Sequence, residues 1–237
     1  HAAVSVEVAQ NPTHAAEIED KCIRCHAPMA SEIARSRGGQ ASMAQLLEAG
    51  SGEAYAGLDG VACAVCHQIE KEGLGDEASF SGGFTIGTER KIYGPHRNPA
   101  VGPMQHHVNY TPTYGRHVLK PTMCATCHTL YSNPLNEDGT ENPEVRFPEL
   151  TTYLEWSASA YAEEGTTCQD CHMPAADEYG VAIETRIARA PPGFDFNIET
   201  RRPFGQHIFT GGNTLMPDII RRERSTLQPQ ATDEAFE

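Results

Sequence analysis

The sequence predicts a mostly irregular chain with short α-helices and little β-structure, organised around bound groups more than around a large side-chain core. Three observations predict this. Four Cys-x-x-Cys-His motifs recur along the 237 residues. Apolar residues make up only 39% and aromatics only 7%, a thin supply for a side-chain core of this size. Gly- and Pro-rich stretches break up most of the chain between the motifs.

The motifs decide the class. All eight cysteines fall in four pairs: Cys22 and Cys25, Cys63 and Cys66, Cys124 and Cys127, Cys168 and Cys171. A histidine follows each pair at once: His26, His67, His128 and His172. Two cysteines three apart on a helical turn reach the two vinyl groups of one porphyrin and form thioethers. The next residue then lies beneath the iron and supplies an imidazole. Paired cysteines alone also fit disulfides, zinc or thiol redox chemistry. None of these explains a histidine after every pair. The expected cofactors are therefore four covalently attached haem c groups. The fold class is a multihaem cytochrome c, with residues 1–237 as a single tetrahaem domain.

The elements follow in order. Ala15-Ala16-Glu17-Ile18 reads as helical ahead of the first motif. After it, residues 30–35 and 41–49 read as helices, with Met43, Leu46 and Leu47 on one face. Residues 50–60 read as a loop leading into the second motif. Residues 71–103 are rich in Gly, Pro and charge, with a short strand or hairpin over 80–86. A short helix from Pro112 or Thr113 to Leu119 feeds the third motif. The strongest helical pattern is Phe147, Leu150, Leu154, Ser157 and Tyr161, with Pro148 in its first turn and Gly165 as its cap. Trp156 on that helix either packs in the core, the usual role, or approaches a haem edge. Residues 181–187 read as a strand. Residues 221–237 read as a polar tail or an arm that contacts a neighbouring subunit.

Of the 11 histidines, four belong to the motifs and seven lie outside: His1, His14, His96, His106, His107, His117 and His207. They are the candidates for the sixth iron position. His14 and His117 precede the first and third motifs by eight and seven residues. His207 stands among glycines that allow close approach to a flat group. Of the adjacent pair, His107 is the preferred ligand and His106 the alternative. His96 and the terminal His1 remain candidates, His1 across a subunit boundary. The metal ligands expected are thus His26, His67, His128 and His172 with His14, His107, His117 and His207. The six methionines read as core packing.

A net charge of -14 argues against nucleic-acid partners and anionic membranes. No run of 18 apolar residues exists, so no membrane-spanning helix is expected. The start His1-Ala2-Ala3-Val4 reads as that of a mature chain whose leader has been removed.

The motifs, with GVACAVCH, YTPTYGRHVLKPTMCATCHTL and CQDCHMP followed by FGQHIFTGGN, resemble exported multihaem cytochromes over residues 14–215. The chain is similar to the tetrahaem electron carriers of nitrifiers and to tetrahaem cytochromes that polymerise into extracellular filaments. The resemblance implies export to the periplasm or beyond, and closely packed haems in parallel and perpendicular pairs. It implies redox-protein partners or an extracellular electron acceptor. The filament kind draws one distal histidine from the next subunit; the nitrifier kind leaves one haem five-coordinate. Two functions follow: electron transfer through bis-histidine haems, as a monomer or a homopolymer, or oxidoreductase chemistry on a small nitrogen or sulfur compound at one open haem.

Overall fold

Helices in this chain are short because the sequence keeps interrupting them. The computed structural model describes residues 2–48, 50–186, 199–209 and 215–227. Helix α1 (Ala2–Gln10) stops before Asn11-Pro12, and a 3-10 turn over Pro12–His14 leads into α2 (Ala15–His26). That helix has Glu17 in its first turn and Arg24 and His26 in its last, which complements its dipole. Ala27 leaves the helical region and ends it, and Pro28 opens α3 (Pro28–Ser36), where its missing N–H costs nothing.

The expected helix over 41–49 is confined to α4 (Met43–Leu47), entered through a capping box between Ser42 and Gln45. The expected loop over 50–60 is instead largely helix α5 (Gly52–Leu58). Its glycines stand near the ends, and Ser51 caps it by accepting the Ala54 N–H at 2.9 Å. Ser51→Ala is expected to cost about 1 kcal/mol, read as a lower thermal midpoint.

The second motif forms α6 (Cys63–Cys66). Neither the short strand nor the hairpin expected over 80–86 forms. The chain makes a 3-10 turn at Glu77–Ser79, bonds through residues 81 and 82 to the segment of the third motif, and then makes one isolated bridge from Ile86 to Ile69. The Ser81 N–H donates to Thr129 O and the Gly82 N–H to Thr126 O, at 2.8 and 2.7 Å. Backbone groups that a hairpin would pair with each other are paired with another segment instead.

Strand β1 (Lys91–Gly94) runs parallel to β2 (Thr111–Tyr114), with Lys91 opposite Thr111 and Tyr93 opposite Thr113. Helix α7 (Val101–Val108) lies between them in sequence and ends at Asn109 in the left-handed region. The helix expected over 112–119 is therefore half strand. Only Arg116–Leu119 turns, as a 3-10 segment, before α8 (Pro121–Ala125) enters the third motif. Thr-Pro-Thr-Tyr suits extended backbone once a partner strand is at hand.

The long helix expected from Phe147 is also divided. Phe147–Leu150 is strand β4, antiparallel to β3 (Leu130–Ser132). Helices α9 (Thr152–Ser157) and α10 (Ala160–Glu164) follow. Between them the Ser157 and Ser159 hydroxyls donate to the Leu154 and Trp156 carbonyls, a competition that ends helices. Gly165 caps α10 in the left-handed region, φ 79°, as expected. Trp156 is half-buried, tilted against Tyr153 at 5.6 Å, and its Nε1–H donates to Thr166 O at 2.8 Å. The fourth motif is α11 (Cys168–His172).

Contacts divide the chain into two compact units, one over residues 3–169 and one from residue 170 onward. The first has two thin apolar clusters. One is built from Ile23, Met43, Leu46 and small alanines; the other from Val65, Ile69, Phe84 and Met123. In the second unit the expected strand over 181–187 is reduced, among the described residues, to isolated bridges Ala176–Ala182 and Thr185–Arg201. Helices α12 (Leu215–Arg222) and α13 (Arg224–Leu227) occupy the start of the expected tail. Residues 228–237, Ile187 and His1 lie outside the described residues.

Candidate functional site

Each motif sits at a helix end. His26 and His172 are the last residues of α2 and α11; His67 caps α6 and His128 follows α8. One helical turn brings two cysteines three apart to the same side, with the histidine beside them. No disulfide joins any of the eight cysteines. His26, His128 and His172 are exposed and His67 is half-buried. His67 Nδ1–H donates to Tyr93 O at 2.5 Å, and the Tyr93 N–H donates back to His67 O at 2.6 Å. That proton placement leaves the lone pair on Nε2, the arrangement by which a carbonyl orients a metal-ligating histidine.

The eight motif cysteines are not equally enclosed, although the four motifs look alike in sequence. Cys22, Cys25, Cys66, Cys124, Cys127 and Cys168 are half-buried, whereas Cys63 and Cys171 are exposed. Helix α11 buries none of its residues, and Cys171 belongs with the second compact unit while Cys168 belongs with the first. The reason is that one turn of helix fixes only the spacing of a pair. Shelter has to come from other segments, and Cys168 meets one at Cys124 while Cys171 stays open to water.

The thiols of different motifs lie side by side. Cys25 hydrogen-bonds Cys127, and Cys124 hydrogen-bonds Cys168. The Cys25 bond pulls the Cys127 thiol down to about 7, and the Cys124 bond does the same for Cys168. Cys25 and Cys124 are pushed up by the same bonds and then by burial. Burial raises Cys66, with the nearby Cys127 next in effect. The third motif thus has cysteines of the first, second and fourth around it.

Among the described outer histidines, His117 and His207 lie beside a motif. His117 is buried, 7% exposed, and its Nε2–H donates to Ile69 O at 2.9 Å, two residues beyond His67. Its ring meets Tyr93 edge-on at 4.7 Å. Burial lowers its pKa, which keeps the ring neutral with the lone pair on Nδ1. Gly115 leaves that edge clear: a Cβ there would lie 2.6 Å from Cε1 and 3.0 Å from Nδ1. His207, exposed in the second unit, packs edge-on against Phe209 at 5.7 Å. The Phe209 N–H donates to His172 O at 2.9 Å, which brings His207 near the fourth motif.

The other candidates stand differently. His14 donates Nδ1–H to Glu17 at 2.9 Å and Nε2–H to Gly139 O at 2.8 Å. Both bonds favour the charged ring and raise its pKa, and an imidazolium has no lone pair for a metal. His106 and His107 are exposed on α7, their rings edge-on at 5.4 Å. His96 is half-buried in the segment after β1. Two residues join the site that sequence reasoning misses, Tyr93 and Arg24. No local pattern marks Tyr93. Arg24 stands inside the first motif, but its burial is visible only in the fold.

The surroundings fit a flat apolar group. Tyr55, Leu58 and Val61 stay more than half exposed between the first two motifs. An open cleft of about 510 Å³ is lined by Met29, Tyr55, Ala56, Leu58 and Asp59. Met29 is three residues past His26, and a Cβ on Gly60 would lie 3.9 Å from His26 O, so the cleft adjoins the first motif. The Thr129 hydroxyl, next to His128, is fully buried without a hydrogen-bond partner, a donor suited to an acidic substituent. Among the described residues no three His, Cys, Asp or Glu side chains converge as a bare metal site would require. No helix of the described residues is long and apolar enough to cross a membrane. Comparisons with protein-family models, with curated proteins and with solved structures find no match.

Proposed function

We propose that this chain is an exported tetrahaem c-type cytochrome that transfers electrons, with one haem c held at each Cys-x-x-Cys-His motif. The carrying observation is the set of four motifs at helix ends, with cysteines of three of them gathered about the third. Haem supplies a one-electron iron couple. The chain supplies the rest. Paired cysteines anchor and orient, the motif histidines ligate, and Tyr93 O holds the His67 ring in the required tautomer. Neutral, buried His117 closes a sixth position beside the second motif, and His207 does so near the fourth. Strong acidity directs the protein to a basic redox partner or an extracellular acceptor.

Four haem equivalents per chain are expected by pyridine haemochrome, and covalent attachment by intact mass. A chain that matures with none sinks the proposal. With every iron six-coordinate, the reduced protein shows low-spin bands and does not shift with carbon monoxide.

One observation favours a second reading, a multihaem oxidoreductase acting at an open haem on a small nitrogen or sulfur compound. His14, one of the four expected distal ligands, is engaged at both ring nitrogens. A carbon monoxide shift in about a quarter of the haem, one iron of four, selects that reading. A homopolymer, in which a neighbouring copy supplies a distal histidine, restores six-coordination. Filaments in negative-stain micrographs of native material support it, and uniform monomers at all salt concentrations remove it.

A further inference from the structure

We propose that Arg24 and Glu32 form a charge pair that sets the reduction potential at the first motif; this rests on the haem reading above. Arg24 stands between the two attachment cysteines, Cys22 and Cys25, yet it is only 7% exposed. A guanidinium is rarely buried, because leaving water is costly unless its donors are met. Here they are met. Nε–H donates to Gly82 O at 2.8 Å, one terminal nitrogen to Phe84 O at 2.7 Å, and the other to the Glu32 carboxylate. The guanidinium also lies 3.8 Å from the centre of the Phe84 ring.

The backbone is shaped for this cation. Gly82 has φ 80°, and a Cβ there would come within 2.4 Å of Arg24 Cγ. The same missing Cβ lies 3.5 Å from Cys25 Sγ. One glycine therefore touches both the buried charge and an attachment sulfur. Gly82 N–H in turn bonds Thr126 O, beside Cys127 of the third motif.

The sign follows from the chemistry. Reduction adds one electron, Fe(III) + e⁻ → Fe(II), so the site loses one unit of positive charge. A fixed cation in a poorly solvated position favours that product and raises the potential. Glu32 acts oppositely. It lies on α3, its side chain is 33% exposed, and water screens it more strongly, so the cation dominates.

The test is an anaerobic spectroelectrochemical titration of the mature protein and of Arg24→Gln, Arg24→Lys and Glu32→Gln, after haem content has been counted. Arg24→Gln is expected to lower one of the four midpoints by about 59 mV, a tenfold fall in the reduced-to-oxidised ratio at fixed potential. Glu32→Gln raises that same midpoint by less. Arg24→Lys keeps the charge and most of the wild-type midpoint, although it loses hydrogen bonds and melts earlier. A pair that only clamps α2 to the 82–84 segment gives another pattern: lower melting in all three variants, with midpoints unmoved or moved in one direction. That pattern overturns the proposal. Should Arg24→Gln not mature, the retained midpoint of Arg24→Lys and the raised midpoint of Glu32→Gln carry the decision. Absence of haem from the wild-type chain overturns the haem reading at the first step. Four loaded haems with unshifted midpoints overturn the charge pair alone.

Discussion

Replacing Cys124 and Cys127 together with alanine is expected to be the most damaging change to the site. The third motif has Cys25 on one side, Cys168 on another, and Cys66 near Cys127. Residues 81 and 82 also lean on it through Thr129 O and Thr126 O. A covalent group lost here removes apolar surface from beneath several segments at once. The covalent group stays on the chain when it unfolds, so its contribution to folding is the apolar surface it buries between segments in the folded state. The double variant should mature with three haems in place of four. Its thermal midpoint should fall by more than about 10 °C, which for a chain of this size corresponds to several kcal/mol. The comparison is the double variant of the fourth motif, with alanine at both Cys168 and Cys171. It also loses one haem, but Cys171 is exposed and its helix buries nothing, so fewer segments depend on it. Haemochrome counts and melting curves on both variants check this. Equal melting losses would remove the central place of the third motif.

His117→Ala is expected to have the second largest effect. The side chain is buried, and its Nε2–H satisfies the Ile69 carbonyl. Removal leaves that acceptor without its partner and opens a cavity against Tyr93. The stability cost from the carbonyl alone is about 1–3 kcal/mol. The chemical readout separates a ligand from a core histidine. As a distal ligand, His117 keeps one iron closed, so its loss lets about one haem in four bind carbon monoxide. Added imidazole should reverse the spectral change. Destabilisation with no carbon monoxide shift leaves His117 as a packing residue and returns the sixth position to His96, His107 or a neighbouring copy. His207→Ala makes the parallel test for the fourth motif, with little effect on stability because the residue is exposed.

The histidines upstream of the motifs differ in how sequence could find them. His117 and His14 look equivalent along the chain, each a short way before a motif. The fold separates them through contacts distant in sequence. Ile69, beside the second motif, accepts from His117, whereas Gly139 and Glu17 occupy both nitrogens of His14. Spacing along a chain reports what one turn can bring together. It does not report which carbonyl a loop 125 residues away will present.

Local chemistry determined a definite share of this protein by itself. The Cys-x-x-Cys-His spacing needs only one helical turn, so the geometry of each motif is set within five residues. The cap at Gly165, the helix from Pro28 and the absence of long helices among the described residues rest likewise on single-residue backbone preferences. Tertiary structure alone decided the rest. It made Thr111–Tyr114 a strand by bringing up Lys91–Gly94, and it cut the Phe147 pattern by pairing its start with Leu130–Ser132. It buried Arg24 against Gly82 and Phe84, set the thiols of separate motifs side by side, and left Cys171 in the open. The physical reason is common to all of these. Backbone groups and charges must find partners when they leave water, and the partner they find is often far away in the chain.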